Sequence, residues 1–111
     1  MPVIILAAII SYLIGSIPTA YIFVRLIKGA DIRNIGSGNV GATNALRALG
    51  KGWGIIVLTL DILKGLLPVV ILGGLFTPGT SLEQERNLFV IIGLSAICGH
   101  NWTIFLNFKG G

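Results

Sequence analysis

The chain has 111 residues, of which 54% are hydrophobic and 11% charged. A soluble domain carries roughly 25% charged residues, and with so little polar surface this one could not cover its own apolar mass. A soluble fold is therefore excluded, and the composition leaves an all-α integral membrane protein with several spans. The single Cys98 excludes an internal disulfide framework and a Cys-rich metal site, while the regular apolar runs exclude disorder.

Residues 3–24 carry no charge and are long enough for a spanning helix, which needs roughly 20 apolar residues. The run is too long for a signal-peptide core, and Arg25 and Lys28 follow it like a stop-transfer flank. The next stretch, 25–51, holds Arg25, Lys28, Arg33, Arg47 and Lys51 against Asp31 alone, which assigns it to the cytoplasm and the N-terminus to the outside. A second span is expected over 52–76, although it carries Asp61 and Lys64. Residues 77–86 contain the turn signal Pro78-Gly79 with Glu83, Glu85 and Arg86 and read as an external loop. A third span over 87–108 returns the chain to the cytoplasm at Lys109. Residues 1–111 thus form part of one multi-pass membrane domain with three transmembrane helices. The basic loop and the C-terminal end lie on the same face.

The stretch Asp31 to Arg47 contains three glycines, two hydroxyls, three asparagines and two arginines. Glycines let backbone N–H groups converge on an anion, Ser37 and Thr43 add donors, and arginine offers a planar fork for phosphate. This is the composition of a phosphate cradle. A short helix over 45–49, capped by Thr43 or Asn44, would turn its N-terminus to the same anion. Gly36, Gly38 and Gly41 spell the dinucleotide glycine pattern, but that motif needs a preceding strand in a βαβ unit, and here an uncharged span precedes it. The bland alternative is a polar connector whose arginines only set topology.

Asp61 and Lys64 stand three apart on one helix face and can pair, with Gly65 beside them. Unpaired charges there would cost several kcal/mol, so the pair serves either function or helix architecture. His100 is the only histidine, and its place near the end of the third span makes it a candidate catalytic residue as well as a candidate packing residue. Trp102 and the neighbouring phenylalanines suit an interfacial belt. One histidine, one cysteine and scattered carboxylates call for no metal and no other cofactor.

The run Gly36-Ser37-Gly38-Asn39-Val40-Gly41-Ala42-Thr43-Asn44, the element Asp61-x-x-Lys64-Gly65 and the stretch Gly99-His100 to Phe108-Lys109-Gly110-Gly111 resemble the bacterial acyl-phosphate:glycerol-3-phosphate acyltransferase family, PlsY. The resemblance covers the whole chain in order. It implies a seven-helix enzyme of the bacterial inner membrane, of which this chain would be the N-terminal part. That enzyme transfers an acyl group from acyl phosphate to the 1-hydroxyl of glycerol 3-phosphate, forming lysophosphatidate for phospholipid synthesis. By position it makes Ser37 and Arg47 contacts to substrate phosphate, with Gly38, Asn39, Thr43 and Asn44 shaping or contributing to the site. A second phosphate-binding motif falls on Lys109, Gly110 and Gly111, with His100 beside it. Where the family commonly has proline, this chain has Thr103, a change expected to remove a helix-shaping constraint but no chemical group. The family's third motif, with a histidine and an asparagine, lies beyond residue 111.

Chemistry and resemblance agree. An acyl phosphate is a mixed anhydride with a good leaving group, so catalysis rests on neutralising two phosphates and positioning the hydroxyl. Arg47, Arg33 and Lys109 are the cations expected to do so, while the spans hold the acyl tail in membrane lipid. Acyl-CoA is disfavoured as donor, because the acyltransferases that use it place an aspartate five residues after a histidine, and position 105 is Phe. No nucleic-acid partner is expected. The alternatives are a transporter subunit for a phosphorylated metabolite, gated by Asp61 and Lys64, and an assembly subunit with no site.

Overall fold

The computed structural model describes residues 2–111. Its helices are α1 (Pro2–Gly15), α2 (Thr19–Lys28), α3 (Ala42–Leu49), α4 (Lys51–Phe76) and α5 (Leu82–Asn101), with short 3-10 turns at Ile32–Asn34 and Ile104–Leu106. Three segments, Pro2–Lys28, Lys51–Phe76 and Leu82–Leu106, are long and apolar enough to cross a bilayer, in agreement with the number of spans read from sequence. The longest dimension of the molecule is 48 Å, close to the roughly 40–45 Å of a bilayer with its headgroups. Large apolar side chains such as Ile55, Ile62, Leu66, Val70 and Leu75 of α4 stay exposed, as a helix facing lipid requires.

The spans differ from their predicted limits in three places, each for a local physical reason. The first is broken at Ser16-Ile17-Pro18. Proline has no N–H to continue the ladder, and the chain compensates with tighter bonds, Ile17 N–H to the Ile14 carbonyl at 3.2 Å and Thr19 N–H to the Ile17 carbonyl at 3.0 Å. After the break the helix runs on to Lys28, four residues beyond the expected end, and stops at Gly29 in the left-handed conformation. The third span starts at Leu82, not residue 87, because Ser81 and Gln84 form a reciprocal capping box that satisfies two orphan N-terminal donors. Its α-helix ends at Asn101, and the apolar segment runs on through the second 3-10 turn to Leu106, not 108.

Helix packing relies on small residues, as expected where lipid supplies no hydrophobic drive between helices. Ala7, Ser11 and Gly15 of α1 are buried, as are Leu88, Ile92, Ala96 and Gly99 of α5, and these two stripes make the most extensive helix contact. Ser11 is accommodated because its hydroxyl donates to the Ala7 carbonyl of its own helix at 2.7 Å. One apolar cluster joins Ala7, Leu72, Leu88 and Ile92. A second joins Ala20 and Val24 of α2, Ile32 and Val40 of the loop, Ala45 and Ala48 of α3, Val57 of α4 and Leu106. That second cluster positions the candidate site, since it holds the basic loop and the C-terminal turn at one end of the molecule.

Candidate functional site

The basic loop is an ordered structure and not a slack connector. Ile32 is fully buried and Val40 nearly so, which anchors the loop at two points in the apolar cluster. Asp31 caps the first 3-10 turn by accepting the Arg33 N–H at 2.9 Å, and the Arg33 guanidinium grips the same carboxylate at 2.7 to 3.1 Å. The guanidinium also lies 5.3 Å from the centre of the Tyr21 ring, within cation–π range. Its side-chain hydrogen bonds hold the Asp31 carboxyl below its ordinary range, and Asp31 in return raises Arg33. Arg33, expected from sequence to face phosphate, is therefore already matched by a carboxylate. Among the described residues Arg47 and Lys109 form no such ion pair.

Between the anchors the chain turns at Gly36 and Gly38, whose φ of 53° and 75° suit glycine. The turn is closed by Gly38 N–H donating to the Ile35 carbonyl at 2.8 Å. Ser37, Asn39, Thr43 and Arg47 are exposed around it, and the Arg47 stem passes close to Gly36. Helix α3 begins at Ala42, three residues before its expected start, and neither Thr43 nor Asn44 caps it: its N-cap is Gly41 in an extended conformation, with no side-chain cap. The first N–H groups of α3 are thus left to meet another acceptor.

Asn44 is buried at 1% exposure and does not present its amide to an external phosphate. Its NH2 donates to the carbonyls of Ile35 at 2.8 Å, Asn39 at 3.0 Å and Ile32 at 3.3 Å. The Ile35 and Ile32 carbonyls also accept the backbone N–H groups of Gly38 and Ile35, so the amide draws together three stretches of the loop rather than serving orphaned oxygens. Its reading as a phosphate contact gives way to one as the strut beneath the cradle.

At the other segment α5 ends at His100-Asn101, level with Asp61 and Lys64 of α4, with which His100 shares a cavity of 230 Å³. Asp61 lies ten positions into α4, so this level is about 15 Å below the start of that helix. The chain then climbs to bury Leu106 in the loop cluster and reverses at Asn107 and Phe108, both left-handed at φ 55° and 64°, an unfavourable conformation for a bulky residue. The reversal returns Gly110 N–H to the Asn101 carbonyl at 2.9 Å and Gly111 N–H to the His100 carbonyl at 3.0 Å. Gly110 and Gly111 were expected to offer these N–H groups to phosphate; they instead satisfy the orphan carbonyls of the α5 end. Both must be small there, since a Cβ on Gly111 would lie 2.5 Å from His100 Nε2 and one on Gly110 would strike the His100 carbonyl oxygen.

Thr103, which stands where the family commonly has proline, adds a hydroxyl that makes two bonds. It donates to the Ser16 carbonyl at 2.5 Å and accepts the Phe105 N–H at 3.2 Å, tying the C-terminal turn to the break in the first span. The sequence signal for that tie is Pro18, which interrupts the first span and leaves Ser16 at the break between α1 and α2. Thr103→Val should leave the buried Ser16 oxygen without its donor and cost about 1–3 kcal/mol. Thermal unfolding in detergent would measure this, with Thr103→Ser keeping the wild-type midpoint.

Lys64 supplies the second tie. Its Nζ donates to the Ile17 carbonyl at 2.9 Å and lies 3.0 Å from Asp61 Oδ1, so the pair expected from the i,i+3 spacing forms.

The family model for glycerol-3-phosphate acyltransferase matches residues 5–111. Glycerol-3-phosphate acyltransferase 2 of Moorella thermoacetica is 51% identical over 106 residues, which cover 96% of this chain and 50% of that protein. The glycerol-3-phosphate acyltransferase of Trichormus variabilis is 46% identical over 113 residues, covering 93% and 50%. A crystal structure of PlsY (YgiH), an integral membrane glycerol 3-phosphate acyltransferase, in its glycerol 3-phosphate form superposes with a TM-score of 0.82 at 42% identity, over 97% of this chain and 50% of that one. Its lysophosphatidic acid form gives 0.80 at 40% identity. The chain spans about half the length of the curated relatives it matches, and the transporter alternative draws no support from them. On the family match and the shared helical architecture, this chain belongs to the glycerol-3-phosphate acyltransferase family.

Proposed function

We propose that the chain supplies the phosphate cradle of an enzyme that transfers an acyl group from an acyl phosphate to the 1-hydroxyl of glycerol 3-phosphate, giving lysophosphatidate and inorganic phosphate. The observation that carries this reading is the built loop of residues 31–47, in which exposed Ser37, Thr43 and Arg47 surround a glycine turn and an uncapped helix start, in a chain whose family model spans it completely. Relatives of known structure in glycerol 3-phosphate and lysophosphatidic acid forms support substrate and product. The donor follows from the family resemblance and from the chemistry of a mixed anhydride, which needs no acyl-enzyme intermediate.

In this reading Arg47 and Lys109 neutralise phosphate charge, Ser37, Thr43 and the free α3 N–H groups add donors, and Gly38 and Asn39 shape the turn. His100 is a candidate for contact with the reacting groups. The acyl tail has an apolar groove of 380 Å³ available beside the break, walled by Ile14, Ile22, Phe23, Leu60 and Leu67 with Lys64 in its lining, where each buried methylene would contribute about 0.8 kcal/mol. The excess of lysine and arginine in residues 25–51 orients this loop to the cytoplasm of a bacterial inner membrane, with the N-terminus outside.

The test is acyl transfer by the full-length gene product in membrane vesicles given acyl phosphate and glycerol 3-phosphate. Wild type should form lysophosphatidate, and Arg47→Ala should lower the rate by about 10²-fold or more, the usual effect of deleting one preorganised charge-stabilising group. Wild-type protein that forms none sinks the reading, and equal use of acyl-CoA sinks the donor assignment.

A further inference from the structure

The Asp61–Lys64 pair lies outside the cradle, yet its geometry is more than an internal neutralisation of α4. The side chains are 13% and 10% exposed, deep enough that each charge needs a partner. The ammonium is shared between two oxygens: Lys64 Nζ donates to the Ile17 carbonyl at 2.9 Å and lies 3.0 Å from Asp61 Oδ1 in an ion pair. Asp61 therefore balances the charge while Lys64 reaches across to the break in the first span. Thr103 grips the adjacent Ser16 carbonyl. Lys64 of α4 and Thr103 of the C-terminal turn thus hold consecutive carbonyls at the break, that of Ile17 also accepting the Thr19 N–H at 3.0 Å.

Both donors stand next to the C-terminal turn. Lys64 and Asp61 line one cavity with His100, and His100 carries the turn twice over. Its carbonyl accepts the Gly111 N–H, and its ring packs so closely on Gly111 that a Cβ there would lie 2.5 Å from Nε2.

We propose that Asp61 and Lys64 are a positioning pair: by pinning the Ile17 carbonyl beside the end of α5, Lys64 fixes the seat of His100 and hence the turn that presents Lys109 to substrate phosphate. Neither residue touches the reacting atoms. The step from positioning to catalysis rests on the reading of Lys109 given above, whereas the positioning itself does not.

The experiment uses full-length protein in lipid vesicles and two readouts. Amide hydrogen exchange at Gly110 and Gly111 reports the turn without any turnover, and the KM for glycerol 3-phosphate against kcat reports its consequence. Lys64→Met should raise exchange at Gly110 and Gly111 about tenfold or more while amides in the middle of α5 keep their protection, and should raise KM about tenfold with kcat little changed. Lys64→Arg, which can still donate to Ile17, should restore both. The exchanged pair D61K/K64D keeps both charges but takes the ammonium off the Ile17 carbonyl, and should stay impaired. Full recovery in the exchanged pair, or unchanged exchange in Lys64→Met, overturns the proposal. If Lys64→Met fails to fold, the exchanged pair and Lys64→Arg decide alone. Altered exchange in a protein whose wild type forms no lysophosphatidate leaves the positioning intact and removes the proposed function instead.

Discussion

Gly99→Ala should separate α5 from α1 and cost the protein a large part of its stability. The added Cβ would strike the Tyr12 carbonyl oxygen and lie 2.7 Å from the Ser16 N. Both are backbone atoms in the opposing segment, so no side chain can swing aside. Gly15 is subject to the same constraint from the other side, against the Ala96 carbonyl. Overpacking of this kind typically costs 1–3 kcal/mol. The displacement here would also pull Thr103 away from the Ser16 carbonyl and the Tyr12 hydroxyl away from the Trp102 carbonyl, now 2.6 Å apart, so the expected cost is about 3 kcal/mol or more. The check is the thermal midpoint in detergent. Gly65, where an added Cβ meets nothing within 4 Å, is the control: Gly65→Ala should leave the midpoint near wild type, and an equal fall in both variants would refute the close-approach argument.

Asn44→Asp should abolish the cradle with the helices still assembled. The buried amide now feeds three carbonyl oxygens, those of Ile32, Ile35 and Asn39. A carboxylate of the same shape donates nothing, and its charge would face three partial negative charges in a site from which water is largely excluded. Loop and turn would open together, because Asn44 Oδ1 also sits against Gly36. Acyl transfer should fall about 10²-fold or more, as for loss of a preorganised site, while α3 keeps its place on α4 through Leu46 packed on Gly54. Asn44→Ala, which only removes the donors, should be the milder variant. The two effects separate by measuring lysophosphatidate formation beside the thermal midpoint. An Asn44→Asp protein of normal activity would show that the strut is dispensable.

Much of this molecule is legible in its sequence, because the relevant forces act over short stretches of chain. Apolar runs of helical length give the three spans, the middle one in spite of Asp61 and Lys64, since lipid demands that every backbone polar group be satisfied within the helix. The density of glycine, hydroxyl and arginine in residues 31–47 marks the cradle, and the order of motifs marks the family. The start of α5 was readable too, as the spacing of Ser81 and Gln84 is that of a capping box. The charges that follow, Glu83, Glu85 and Arg86, set the apolar boundary five residues further on.

What tertiary structure decided is where each donor goes once its neighbours have arrived. Composition names Asn44 and Arg33, and the family resemblance Gly110 and Gly111, as groups near a phosphate. Folding commits Asn44 to loop carbonyls, Arg33 to Asp31, and the two glycine N–H groups to the end of α5. Of the three cations expected at phosphate, Arg47 and Lys109 form no ion pair among the described residues. In the same way Pro18 announces a break, but only the approach of α4 and α5 reveals that Lys64 and Thr103 close it. The reason is common to all of these: a chain segment records which groups can donate or accept, whereas the partner of a buried polar group is chosen by whichever complementary group the packing brings within about 3 Å.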